Sequence, residues 1–156
     1  MPRNTSAKGF LAYGMDLGVN FGFTGEDAPS WYRPEEPEFS AAVQLLRSAG
    51  LLGEEFDFEG LNAATTSIAD WRAFRVRMRE GMEKLGVRLL VYGDNTERGF
   101  FLAATVYETD SNELPLPLMT LAVPPGADDR LRANRLLLDA RSHGTRHPAW
   151  HLVVTA

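Results

Sequence analysis

The run Phe100 to Glu108, Phe-Phe-Leu-Ala-Ala-Thr-Val-Tyr-Glu, is apolar on both of the faces that an extended chain presents. A strand of that kind needs cover on each side, which a place inside a sheet supplies. Val87 to Tyr92 is a second β-rich run, and Gly93 to Gly99 between the two holds the Gly, Asp and Asn of a hairpin turn. The chain therefore builds a sheet around this hairpin, and the other segments complete or cover it.

In Gly9 to Leu17, Leu11, Tyr13, Met15 and Leu17 alternate with Phe10, Ala12, Gly14 and Asp16, the period of a strand. Gly18 to Pro37 reads as a long loop pinned by Phe21, Phe23, Trp31 and Tyr32. Pro37 suits the first position of a helix, whose stripe is Phe39, Ala42, Val43 and Leu46 and whose stop is Gly50. After an acidic connector from Leu51 to Thr66, Ser67 and Asp70 open a second helix with the stripe Trp71, Phe74, Met78, Met82 and Leu85, closed by Gly86. Pro115 and Pro117 reduce Leu114 to Val123 to an edge or irregular segment. Asp128 and Asp129 favour a helix N-terminus, Leu131 to Ala140 continues as a third helix that stops near Gly144, and Trp150 to Thr155 is the last strand.

The expected class is α+β: a small mixed or antiparallel sheet with helices on one face, in the order β-α-α-β-β-α-β. Merging the first two helices gives the split βαβ order of ferredoxin-like domains. One domain over residues 1–156 is expected, with residues 1–8 flexible. A sheet covered on one side leaves its other face open to a homodimer.

Apolar residues make up 44% and charged residues 24% of the chain, the composition of a globular protein rather than a disordered one. The absence of cysteine excludes disulfides, thiolate nucleophiles and Cys-ligated metal centres. No apolar run approaches the ~20 residues of a membrane helix, and Met1 to Lys8 lacks an apolar signal core, so the expectation is a cytoplasmic protein with no membrane association. Residues 1–70 hold eleven carboxylates against four bases and residues 71–156 ten against twelve, for a net −5. That acidity disfavours a general affinity for nucleic acid.

The opening Gly9-Phe10-Leu11-Ala12-Tyr13-Gly14-Met15-Asp16-Leu17-Gly18 resembles the G-[FY]-L-A-Y-G-Y-D-L-G start of small, functionally uncharacterised proteins of actinobacteria and their phages. Leu45-Leu46, Leu85-Gly86-Val87, Leu102-Ala103-Ala104 and Pro148-Ala149-Trp150 echo the same group in the same order. Met15 departs from it, as do the arginine-rich helix from 68 to 85 and the 111–126 segment. The resemblance implies a shared fold and a phage or actinobacterial origin; it carries no activity, so no catalytic residue or cofactor follows from it.

Several constellations have a plain reading beside the functional one. His143, His147 and His151 are spaced by four, as helical metal ligands are, but Gly144 and Pro148 interrupt any such helix. Tyr13, Asp16 and His151 form a proton-transfer set only if they converge; otherwise Asp16 caps the turn at Leu17-Gly18 and Tyr13 packs in the sheet. The glycines at 18, 22 and 25 match no phosphate-binding spacing.

Arg98-Gly99-Phe100 repeats only the first three positions of an RNA-recognition motif, in which strand aromatics stack on bases, and a hairpin leading into a core strand explains Arg98-Gly99-Phe100-Phe101 more simply. Arg72, Arg75 and Arg79 form a row able to meet phosphates or an acidic protein surface, against the ordinary solvated face of a helix. Glu54, Glu55, Phe56, Asp57, Phe58 and Glu59 offer an acidic surface with apolar anchors for a protein partner, or only solubility. The leading expectation is a non-enzymatic, phage-associated accessory protein that binds a host or defence macromolecule. A nucleic-acid module of RNA-recognition-like topology and a small enzyme of unknown reaction are the alternatives.

Overall fold

The computed structural model describes residues 8–52, 67–94, 96–109, 121–141 and 147–155, with the side chains of 8, 109 and 155 excepted. The doubly apolar run lies in β3 (Arg98–Thr109), which pairs antiparallel with β1 (Lys8–Val19) on one edge and with β2 (Arg88–Gly93) on the other. β4 (Ala149–Thr155) adds antiparallel to the free edge of β1. The neighbours are thus β4, β1, β3 and β2, and the described residues form a mixed α+β structure of four antiparallel-paired strands and three helices.

The sheet curls until Gly93 of β2 meets Thr155 of β4 in a single parallel bridge. This closure was not part of the expectation of an open, ferredoxin-like sheet. Its physical source is the β1–β3 ladder, where register shifts at Tyr13/Gly14 and Asp16/Gly18, the first with Ala104 of β3 as the extra residue and the second with Leu17 of β1, bend the strands and raise their twist. At the first shift the two backbones approach so closely that a Cβ on Gly14 would collide with the Leu102 carbonyl oxygen.

Curling gives the sheet two cores. Its outer face carries Met15, Leu17, Leu89, Phe100 and Leu102, and Ala41 and Leu45 of α1 (Pro37–Ser48) and Leu131 and Leu138 of α3 (Ala127–Leu138) close over them. Its inner face buries Ala12, Leu90, Phe101, Ala103 and Val153 against one another. The face expected to need a second copy is therefore covered by the sheet's own curvature. α2 (Ile68–Leu85) packs on α1 through Phe74 and Met78 against Ala42, Val43 and Leu46.

Local chemistry sets the element ends. Pro37 opens α1, and Ser67 caps α2 by accepting the Asp70 N–H at 3.1 Å. Gly86 ends α2 at φ +72. In the hairpin, Asp94 Oδ1 accepts the Thr96 hydroxyl and the N–H groups of Glu97 and Thr96, which holds the Asp94 carboxyl below the usual carboxylate range. The 18–37 loop is pinned as its aromatics suggest: the Phe21 ring stacks on Phe100 at 4.2 Å, with Trp31 and Tyr32 edge-on.

The third helix begins where its acidic pair indicates, at Ala127 directly after a left-handed Gly126, with Asp128 and Asp129 in the first turn. It ends earlier than expected, at Leu138, because Asp139 is left-handed at φ +51 and the Arg141 N–H reaches back to the Phe21 carbonyl at 2.9 Å.

Candidate functional site

β3 is longer than the strand beside it. The last pair of the β2–β3 ladder is Arg88 with Ala103, whereas β1 follows β3 as far as Thr109. Among the described residues the β2 ladder stops at Ala103, and from Ala104 to Val106 β3 has a strand neighbour, β1, on one edge alone.

This stretch of β3 forms one wall of a groove of about 600 Å³. Ala104, Thr105 and Val106 supply the strand wall, α1 contributes Glu38 and Ala42, and the last turns of α2 contribute Arg79, Met82 and Glu83. The chain turns at Gly86 to enter β2, which places buried Val87 and Leu89 at the base. The volume and the largely apolar lining are those of a binding cleft. A second hollow, about 470 Å³, lies on another face of α2 between Leu51 and Val76 and has no strand wall.

Four charged groups, Glu38, Arg79, Glu83 and Arg88, stand at the rim of the larger groove, exposed to solvent. Among the described residues none of their side chains has a hydrogen bond or ion pair. Crowding by protein atoms raises the Glu38 pKa, against the opposing pull of the Arg98 charge, although much of the residue remains open to water.

The arginine row expected on the second helix runs out from this groove. Arg72, Arg75 and Arg79 are all exposed on α2, and Arg79 lines the groove itself. At 1.5 Å per residue the row is ~10 Å long. Arg98 is exposed at the start of β3, opposite Gly93.

Phe100 overturns its sequence reading. It is 0% exposed and stacked on Phe21 beneath the helices, so no base can reach its ring. Alternation places Phe101 on the inner face, where it is also buried, and β3 therefore presents neither phenylalanine as a stacking platform. Glu54, Glu55, Phe56, Asp57, Phe58 and Glu59 lie outside the described residues, as does His143.

The proton-transfer set does not converge. Tyr13 faces outward, edge-on to Trp150 at 5.4 Å, and its hydroxyl donates to Asp128 Oδ1 at 2.7 Å, which raises the Tyr13 pKa. Asp16 accepts the Gly18 N–H at 2.8 Å, the turn cap that the sequence suggests, and also the Tyr92 hydroxyl at 2.6 Å. His151 packs edge-on against Phe101 on the inner face, with its Nε2 buried and unpartnered. His147 is exposed. Among the described residues no group of three or more His, Asp or Glu side chains is placed to hold a metal ion.

The groove escaped the sequence reading because the overhang of one strand past another is a property of register. One signal was present: the run from Phe100 to Glu108 is half as long again as the run from Val87 to Tyr92, and a hairpin of unequal arms carries the longer strand past its partner. A second feature missed was the outward patch of Trp150, Leu152 and Val154, where the latter two are 66% and 50% exposed. No protein-family model, curated protein or solved structure matches the chain.

Proposed function

We propose that this protein is a non-enzymatic accessory protein that holds a segment of another protein in the groove between α1, α2 and the stretch of β3 beyond β2. One observation carries the reading: a groove of about 600 Å³ with a largely apolar lining and four exposed charged side chains on its rim. A catalytic site would instead need convergent polar groups, and Tyr13, Asp16 and His151 are each engaged elsewhere. The resemblance to actinobacterial and actinophage proteins makes a phage-associated role, with a host or defence protein as target, the favoured setting.

No helix of the described residues is long and apolar enough to cross a membrane. The acidic segment Glu54 to Glu59 is a second surface for the same kind of partner, tested separately by Gln and Asn replacements at 54, 55, 57 and 59. The nucleic-acid alternative loses its stacking residue with Phe100 and rests on the exposed arginines of α2 and on Arg98.

The deciding experiment captures partners of the tagged protein from an actinobacterial lysate, with and without nuclease, beside a Met82→Glu variant whose charge is placed on the groove lining. A protein recovered in stoichiometric amount after nuclease and lost with Met82→Glu supports the reading. Nuclease-sensitive recovery that Met82→Glu leaves unchanged refutes it in favour of nucleic acid.

A further inference from the structure

The charges of α2 are ordered against the helix's own stability. Five bases and three carboxylates lie on it, in a chain of net charge −5. Arg72, Arg75 and Arg79 repeat at three and four residues, which makes consecutive guanidinium groups neighbours on one side, and like charges at those spacings weaken a helix. Glu83 follows Arg79 by four, the less favourable order for an ion pair, and stands in the last turn, where the helix dipole disfavours a carboxylate. All three arginines are exposed, and among the described residues none has a hydrogen bond or an ion pair. On the adjoining ridge Ile68, 73% exposed, and Val76, 42% exposed, flank Arg72 at four-residue steps. The buried side of the helix, with Phe74 and Met78, is turned the other way onto α1, so the packing of the fold makes no use of the row.

We propose that this outer face of α2 docks an acidic amphipathic helix of a partner protein. The surface goes beyond the groove and shares only Arg79 with it. A helical partner repeats its side chains at the same three- and four-residue spacing, so carboxylates along one of its ridges meet Arg72, Arg75 and Arg79 in turn over the ~10 Å of the row. Apolar residues on the next ridge cover Ile68 and Val76. Those two side chains favour a peptide over nucleic acid, whose phosphate backbone offers charge without apolar surface, and the net charge of the chain opposes a uniform polyanion. The two ridges of α2 end in Glu80 and Glu83, so the carboxylates of the partner give way to bases over the last turns, which fixes its direction along the helix.

The test uses the full chain and a fluorescein-labelled, end-blocked, alanine-rich helical peptide with glutamates at the spacing of the row and leucines on the adjoining ridge. Its counterparts carry glutamine or lysine for every glutamate, or serine for every leucine, and single-stranded and duplex oligonucleotides serve as competitors. At low salt, anisotropy should show the glutamate peptide binding about tenfold more tightly than the glutamine one and several-fold more tightly than the serine one, with the charge-dependent part fading as salt rises. Arg72→Gln together with Arg75→Gln should remove most of the preference for glutamate. Arg75→Glu should weaken the glutamate peptide and strengthen the lysine one, a reversal that misfolding cannot imitate. It also sets a carboxylate four residues ahead of Arg79, so its urea midpoint should hold or rise.

Equal binding of the glutamate and glutamine peptides, or a preference for glutamate that survives Arg72→Gln with Arg75→Gln, overturns the proposal, and so does the failure of every peptide to bind. Equal binding of the serine peptide removes the apolar contact and with it the amphipathic helix. An oligonucleotide that binds the row more tightly than the glutamate peptide, and loses its grip in the same double variant, overturns the proposal in favour of nucleic acid. The groove is judged apart: if every peptide fails while Met82→Glu still abolishes capture of a protein partner, the groove reading stands alone, and if the peptide result holds while capture is indifferent to Met82→Glu, the α2 surface stands without it.

Discussion

Phe21 allows the aromatic loop to be tested as a structural anchor and its backbone strain to be measured in the same experiment. The side chain is 0% exposed, stacked on Phe100 at 4.2 Å and 9°, and held at a left-handed φ of +58. Truncating a buried phenylalanine to alanine costs about 3–5 kcal/mol, from lost burial and the cavity left behind. That is a large share of the ~5–15 kcal/mol that stabilises a typical domain. Phe21→Gly removes one carbon more and, in ordinary backbone, would be worse still. At φ +58, however, an L-residue bears about 1–2 kcal/mol of strain that glycine does not, more than the ~0.5–1 kcal/mol entropic penalty of glycine. Set against the ~0.8 kcal/mol of the extra buried carbon, relief of strain should leave Phe21→Gly about as stable as Phe21→Ala, where ordinary backbone would make it ~1.5 kcal/mol worse. Urea titrations followed by circular dichroism read both differences from midpoints at constant slope. A Phe21→Ala cost below about 1.5 kcal/mol would refute the anchor, and a glycine variant ~1.5 kcal/mol less stable than the alanine one would refute the strain argument.

Other substitutions isolate single interactions. Ser67→Ala removes the cap of α2 and should lower stability by about 1 kcal/mol in the same titration, with Ser67→Asp restoring most of it. His151→Leu replaces a buried nitrogen that has no partner by an apolar group beside Phe101 and should leave the unfolding midpoint unchanged or higher; a loss above about 1 kcal/mol would mean that the imidazole is satisfied in solution. Burial and the hydrogen bond to Asp16 raise the Tyr92 pKa well above its unfolded value, so the neutral phenol stabilises the fold below pH ~10 and that contribution is lost as pH rises beyond it. Tyr92→Phe should cost about 1.5–3 kcal/mol at neutral pH and flatten the alkaline fall in stability, and an unaltered alkaline slope would contradict it.

The local signals in the chain sufficed for its elements. Alternation marks the residues of β1, Ser67 and Gly86 delimit α2 to the residue, and the apolar run of β3 requires a neighbour on each face. Each depends on contacts within a few residues, or on burial that a strand or helix period makes visible. The same local rule places the cap at Asp16, because its carboxylate reaches the Gly18 N–H two positions on.

What joins distant segments was settled only in three dimensions. The closure of the sheet at Gly93 and Thr155 depends on twist accumulated over four strands, with one register shift in β1 and one in β3 whose sum no single segment encodes. The reach of Asp16 to Tyr92 across the curled sheet and the stacking of Phe21 on Phe100 follow from it. Phe100 shows the difference most sharply: its motif and spacing suit a base-stacking strand, yet which face of that strand the helices cover is decided by packing, and they cover the one that carries Phe100. The groove arises in the same way, since β2 and β3 are each legible as strands, but the six residues by which one outruns the other are defined only once register is fixed.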